Sequence, residues 1–396
     1  MQTFTSIEGS HRERVIKGRA GWWYLGAGGV ARLTAEHVNA DGTLTALARD
    51  FLEQSGLTHA RDYRTFALTV LTSTACNLGC GYCFQNTAQD SGAGYHPPRI
   101  KSARLTSETI TDVLAFADRH MAAAGLDRLS ILLFGGEPLL NPRGAVELLT
   151  RAADRGLRSA SMISNGTLLT VPLARKLAAA GLNEVQVTFD GDRGTHDHIR
   201  IRRSGGGTFD TIVEAIRRAS EATAIRWNLR VNVSHHNHQG IERLIEQLAA
   251  AVNPNRCSLY FARVGDVGVG YDNSLGHDRQ ISEDFIGWYR AAIRAGFAVP
   301  RPGAHKPCQA CSFKNGRFGA VVSADGTLAS CWETAGRPEW EVGSVTEGYL
   351  PEDQTIDRWT SCEDLYQYSD DNAALAGFRD AVDAAVLDEL TAVARL

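Results

Sequence analysis

From residue 66 to residue 264, short apolar runs alternate with longer amphipathic stretches. The runs are "FALTVLT" (66–72), "LSILLFGG" (129–136), "SASMISNGT" (159–167), "NEVQVTFDG" (183–191), "IRWNLRVNVS" (225–234) and "CSLYFARV" (257–264). Each has strand length, and near-continuous apolar strands point to a parallel sheet covered on its faces. The stretches between them, beginning with "TSETITDVLAFADRHMAAAG" (106–125), space their apolar residues at helical intervals. That first helix has a threonine or serine to cap it and Gly125 to end it. Helices are likewise predicted in "RGAVELLTRAADRG", "VPLARKLAAAG", "TFDTIVEAIRRASEA" and "GIERLIEQLAAA". The repeated βα order predicts an α/β fold, either a barrel or an open doubly wound sheet.

Outside this repeat the pattern changes. Residues 1–65 hold the aromatic, glycine-rich "GRAGWWYLGAGGVARL" and one helix in "DGTLTALARDFLEQSGL", and are expected to form an accessory segment that caps the bottom of the sheet. "FGAVVSADGTLASC" (318–331) reads as two short strands joined through an Asp-Gly turn. The final segment, 366–396, reads as an amphipathic helix packed on the core. The expected organisation is thus 1–65 accessory, 66–300 α/β core, 301–365 a cysteine-bearing domain and 366–396 helical.

Charge excludes more than it suggests. Lys plus Arg (41) nearly balances Asp plus Glu (45), and no block of like charge runs for long, so neither a nucleic-acid groove nor a membrane surface is expected. The segment "MQTFTSIEGSHRERVIKG" has no apolar signal core, which makes a cytoplasmic location the expectation. Eight cysteines are too few for a disulfide scaffold in 396 residues, so clustered thiols read as metal ligands.

Those thiols fall in two groups. Cys76, Cys80 and Cys83 follow the first predicted strand, and Cys308, Cys311, Cys331 and Cys362 lie beyond the last, while Cys257 stands alone and reads as a small buried apolar residue. Three thiols spaced x3 and then x2 differ from the four ligands of a structural zinc site and ask for a metal group with one position left open. The cysteine loop, "GGEP" (135–138), "SNG" (164–166) and "DGDRGTHDHIR" (190–200) all follow strand C-termini, where α/β proteins place ligands. The second group could hold zinc or an iron–sulfur centre on spacing alone.

C-x3-C-x2-C after the first strand, followed by "GGEP" and "SNG", resembles the radical S-adenosylmethionine superfamily, whose usual core is a partial (β/α)6 barrel. The resemblance implies that Cys76, Cys80 and Cys83 hold a [4Fe–4S] cluster whose fourth iron is completed by S-adenosyl-L-methionine. It implies that the motif Gly135, Gly136, Glu137 and Pro138 serves the methionyl amino group, and that Ser164, Asn165 and Thr188 reach the ribose or carboxylate. Tyr82 is the aromatic residue that precedes the last cysteine. Gly79 and Gly81 are expected to relax the loop's backbone angles around a cluster.

The C-terminal segment, with "TFDGDRGTHDHIRIRRSGGGTF", is similar to the SPASM and twitch branch, which includes anaerobic sulfatase-maturating enzymes and radical peptide maturases. Full SPASM extensions carry seven cysteines, whereas four stand here. The implied arrangement is a twitch-like or shortened SPASM domain holding one auxiliary [4Fe–4S] cluster on Cys308, Cys311, Cys331 and Cys362. The expected function is hydrogen abstraction from a residue of a ribosomally made precursor peptide, leading to oxidation such as a cross-link, with flavodoxin or ferredoxin as reductant. The alternatives are a dehydrogenase or tailoring enzyme for a sugar or antibiotic intermediate, and a peptide epimerase with Cys257 as hydrogen donor. Glu333 and Asp190 are the candidate acid–base residues, although pairing with neighbouring charges is the default for Asp190. Trp332 stands where the sulfatase-maturating relatives have aspartate, which argues against their substrate.

Overall fold

The computed structural model describes residues 13–59, 63–83, 85, 100–265, 273–304, 308–311, 313–359 and 372–394. It opens with a three-stranded antiparallel meander, β1 (Arg14–Gly18), β2 (Gly21–Leu25) and β3 (Val30–Leu33), backed by helix α1 (Ala46–Gln54). Six parallel strands follow in spatial order: β4 (Thr65–Ser73), β5 (Arg128–Gly135), β6 (Leu157–Ser164), β7 (Leu182–Phe189), β8 (Arg226–Val233) and β9 (Cys257–Arg263). Their connections carry α2 (Ser107–Ala124), α3 (Pro142–Ala152), α4 (Val171–Ala179), α5 (Arg193–Ile199), α6 (Phe209–Ala222) and α7 (Ile241–Ala251), and α8 (Arg279–Arg294) follows β9. This is the α/β architecture expected. Thr106 caps α2 by accepting from Thr109 N, and Gly125 ends it in a left-handed conformation.

The two faces of the parallel sheet differ. Leu129, Ile131 and Leu133 on β5, and Trp227, Leu229 and Val231 on β8, are buried among helix residues such as Val113, Leu148 and Leu244. The alternate positions, including Ser130, Gln186, Asn228 and Arg230, are only partly covered and face the concave side. Each fully buried large apolar side chain stabilises the fold by about 1.5–3 kcal/mol. The stabilising core is therefore the strand–helix layer, and the concave lumen is left to accommodate polar residues.

The C-terminal segment does not form a separate sheet. β10 (Gly319–Val322) joins the free edge of β4 in parallel, from Gly319↔Ala67 to Val322↔Val70. β11 (Thr327–Ala329), β12 (Glu341–Ser344) and β13 (Gly348–Tyr349) then extend the same ten-stranded sheet antiparallel. The expected hairpin is β10–β11; Asp325 accepts from Thr327 N (3.2 Å), and Gly326 adopts φ +91°.

The N-terminal meander packs on the C-terminal helix. Ile16, Trp23 and Leu25 pack on Ala384 and Leu387 of the C-terminal helix (Asn372–Ala392). Arg14 pairs with Asp380 at 2.8 Å and with Asp383, and Trp23 Nε1 donates to Asp388 (2.9 Å). The same helix is tied to α8 by Arg290–Glu389 at 2.7 Å. Among the described residues, no helix is long and apolar enough to cross a membrane.

Candidate active site

β4 delivers the chain into the cysteine loop at the C-terminal rim of the sheet. Gly79 N donates to Ile201 O (3.0 Å), and Arg203 N donates to Asn77 O (3.1 Å), which fixes the loop to the segment after α5. Asn165 Nδ2 donates to Asn77 Oδ1 (2.8 Å) and lies 3.8 Å from Cys76 Sγ. Cys76, Cys80 and Cys83 are each partly exposed. Burial pushes the thiols of Cys76 and Cys80 up to about 11. An iron ligand must shed that proton, so cluster binding by these thiols would be coupled to proton release.

The two loop glycines serve a purpose other than the one expected. Neither Gly79 nor Gly81 has positive φ, and a Cβ on either would meet nothing within 4 Å. Both line a cleft of about 760 Å³ together with Tyr82, Asp190, Thr195 and His198. Their contribution is room in that cleft instead of unusual backbone angles. Three partly exposed thiols on one loop are the soft donor type that an iron–sulfur group takes, although among the described residues they are not drawn together as the ligands of a single metal ion.

"GGEP" presses against the root of the cysteine loop. Gly135 has φ +132°, and a Cβ there would lie 2.1 Å from Ser73 O; at Gly136 it would lie 2.4 Å from Ala75 O. Gly136 N donates to Ser73 O (3.0 Å) and Glu137 N to Ala75 O (2.8 Å). The Glu137 carboxylate is fully buried and accepts from Leu139 N (2.9 Å), Ser164 Oγ (2.9 Å) and Asn165 N (2.7 Å). Burial raises its pKa, and those three donors oppose the shift. Pro138 O accepts from Thr72 Oγ1 (3.0 Å). Glu137 thereby joins three strand ends, and the Ser164 hydroxyl is engaged with it and with Gly166 N (3.0 Å).

A second buried node ties the loop to β7 and β8. Tyr82 donates to Asp190 Oδ2 (2.8 Å), and Arg200 Nη1 donates to the Tyr82 hydroxyl (2.8 Å) and to Asp190 (3.2 Å). Asn232 Nδ2 also donates to Tyr82 (3.1 Å). Burial raises the Asp190 pKa against the pull of Arg200 and Tyr82. The "DGDRGTHDHIR" segment contains the seven-residue helix α5, which no apolar stripe marks in the sequence. Asp192 caps it by accepting from Thr195 N (3.1 Å), and Asp197 caps α6 through Thr208 N (2.6 Å) and Phe209 N (2.8 Å). Asp190 and Arg200 thus form the latching pair. His198, Ser234, His236 and Val264, which line the cleft, were not singled out as ligands from sequence. Ser234 and Val264 follow the ends of β8 and β9, which was the available signal.

The described segment around Cys311 and Cys331 adjoins the barrel's concave face. Ala310, Val321, Ala329 and Ala335 share an apolar cluster with Leu71 and Phe134, and Trp332 packs on the Phe134 ring at 5.7 Å. Cys311 and Cys331 are buried beside this cluster, whereas Cys308 is exposed. Glu333 is buried next to Trp332. Cys362 lies outside the described residues. Cys257 begins β9 on its outward side, buried in the strand–helix core, and burial pushes its thiol up to about 12. Its side chain does not face the lumen, which removes it as a hydrogen donor there.

Strand order, rim and lumen define a partial parallel barrel with ligand chemistry gathered at its C-terminal ends. Residues 70–248 match the Radical SAM superfamily, a domain that implies a 4Fe–4S cluster and S-adenosylmethionine. Fe-coproporphyrin III synthase of Methanosarcina barkeri (strain Fusaro / DSM 804) is 28% identical over 224 residues, 56% of this chain and 51% of that protein. A probable GTP 3',8-cyclase of Saccharolobus islandicus (strain Y.N.15.51 / Yellowstone #2) is 29% identical over 219 residues, 54% of this chain and 63% of that one. The matches thus span about half to under two thirds of these relatives' lengths. Among solved structures, native anSMEcpe with bound AdoMet, an anaerobic sulfatase maturase, superposes with TM-score 0.58 at 15% identity, covering 83% of this chain and all of that one. Streptococcus suis SuiB bound to S-adenosylmethionine gives TM-score 0.50 at 13% identity, covering 90% and 89%.

Proposed function

We propose that the protein is a radical S-adenosylmethionine enzyme that oxidatively modifies a residue of a ribosomally made precursor peptide, for example by cross-linking. One observation carries this reading: the cysteine-bearing C-terminal segment is built onto the barrel's own sheet and shares an apolar cluster with its concave face. Cys76, Cys80 and Cys83 would hold the first cluster, and Cys308, Cys311, Cys331 and Cys362 an auxiliary one. When bound, the cluster and S-adenosylmethionine supply a 5′-deoxyadenosyl radical that takes hydrogen from an unactivated carbon. The chain's own part is to position and exclude. The Glu137 node sets the cysteine loop against the next strand ends, Asn165 ties that loop to the end of β6 through Asn77, Thr188 would contact the cofactor, and the lumen aligns the target carbon. Glu333, beside Trp332, is the proposed acceptor for the proton released when the substrate radical gives up one electron, which the auxiliary cluster would accept.

A small-molecule substrate is the second reading. It is favoured by the curated relatives, whose names specify a coproporphyrin product and a GTP cyclisation. Reconstituted protein given S-adenosylmethionine and dithionite is expected to release 5′-deoxyadenosine; an intact cluster without that product overturns the enzymatic proposal. Mass spectrometry then separates the two readings. Loss of hydrogen from a small peptide encoded beside this chain supports the first, and turnover of small molecules only supports the second.

A further inference from the structure

We propose that Arg230 is a carboxylate anchor in the barrel lumen and that the substrate presents an acidic group to it. This rests on the reading above that the lumen receives a substrate, and it names that substrate's chemistry. Parallel pairing places Thr188, Arg230 and Tyr260 in one row across β7, β8 and β9. All three occupy the inward positions of their strands, alternating with Val187, Leu229 and Leu259, which are buried against the helices.

The guanidinium is held for use. Its Nε donates to Asn232 Oδ1 (2.8 Å), and its plane lies over the Tyr260 ring at 5.6 Å. Asn232 is itself fixed by its bond to Tyr82 in the cysteine loop. Anchoring through Nε leaves the Nη pair, the fork that takes a carboxylate bidentately. Arg230 forms no ion pair with a described residue, and Asp190, the acid that senses its charge, is already paired with Arg200.

The surroundings select a carboxylate over a polyphosphate. The other charged side chains at inward strand positions, Arg128, Glu184 and Arg226, lie towards the opposite rim. There Arg226 approaches Glu184 at 3.8 Å, and Arg128 approaches Asp127 at 3.9 Å. Among the described inward strand positions, Arg230 is thus the one cation near the C-terminal rim, flanked by two hydroxyl side chains, while the neighbouring Arg200 is neutralised by Asp190; this matches one singly charged planar group. A chain of phosphates would call for several cations.

The test uses the cluster-loaded protein and two probes, acetyl-Gly-Glu-Gly-amide and acetyl-Gly-Gln-Gly-amide, whose retention is measured by anaerobic equilibrium dialysis with S-adenosylmethionine present. Wild type is expected to retain the glutamate peptide about tenfold better than the glutamine peptide. Arg230→Gln is expected to abolish the preference, and Arg230→Lys to keep part of it. Equal retention by wild type overturns the proposal without any variant having to fold. If Arg230→Gln instead weakens S-adenosylmethionine binding about tenfold or more, the arginine serves the cofactor's carboxylate and the proposal also fails. Peptide discrimination by a protein that never yields 5′-deoxyadenosine would sink the functional reading and leave the anchor standing. Cleavage without discrimination would do the reverse.

Discussion

His196 shows how one residue in the signature segment can serve the fold instead of the reaction. Its ring is buried between Phe189 (5.4 Å) and Phe209 (5.5 Å). Nδ1 accepts from Asp190 N (3.3 Å), so Nε2 carries the proton and donates to Thr208 Oγ1 (3.0 Å), which in turn donates to Arg200 O (2.8 Å). A second proton on Nδ1 would face an N–H donor. Burial, with the nearby Arg200 charge, lowers the pKa from 6.5 to about 3. The folded state therefore binds fewer protons than the unfolded one between those two values. Its contribution to stability is fully present above pH 6.5 and is lost as pH falls towards 3. Between pH 7 and pH 5 the loss amounts to about 2 kcal/mol. Urea midpoints at the two pH values should show that drop in wild type and a clearly smaller one in His196→Asn. An unchanged drop would place the acid sensitivity elsewhere.

At the scale of elements, the βα units were legible because their signals are local. Strand runs, the Thr106 cap, the Gly125 stop and the Asp325–Gly326 turn each depend on a few adjacent residues. Three features were not legible. Helix α5 is short and polar and buries only His196, so no apolar stripe marks it. The β1–β3 meander consists of strands of four or five residues, too few alternations to stand out from an aromatic, glycine-rich segment. The pairing of β10 with β4 joins residues near 320 to residues near 68, a contact that no local pattern encodes. The site divides similarly: the motifs were readable, whereas the attachment of Glu137 to Ser164 and Asn165 needed the strand ends in place. The meander's attachment gives a prediction. Leu387 is fully buried against Ile16, Trp23 and Leu25, and Leu387→Asp would set a carboxylate in that contact at a cost of several kcal/mol. Limited proteolysis read by mass spectrometry should then cut within residues 13–59 markedly faster, with the parallel-strand region still protected. Equal cleavage rates would mean that the meander is held by something other than this helix.

At the scale of the whole molecule, the two cysteine groups are reached by opposite edges of one strand. β4 pairs with β5, whose end carries "GGEP", and with β10, which leads through the hairpin to Cys331. Each group therefore has its own supporting strands, and the two meet through the Leu71–Phe134–Trp332 contact. That arrangement predicts separable duties. Replacing Cys76, Cys80 and Cys83 together with alanine should abolish 5′-deoxyadenosine formation, because the cofactor's sulfonium would have no cluster to reduce it. Replacing Cys311 and Cys331 should leave cofactor cleavage uncoupled from substrate turnover, since the first loop is held through Glu137 to Ser164 and Asn165 and through Tyr82 to Asp190 and Arg200. Both are buried next to the apolar cluster, so lost folding energy could mimic lost chemistry. Iron and sulfide analysis with Mössbauer spectroscopy on soluble, monodisperse protein separates the two effects. About eight irons per chain in wild type, falling to about four in either variant, is the expected result for two four-iron clusters. About four irons together with one zinc in wild type would overturn the auxiliary cluster and make the C-terminal group a structural zinc site.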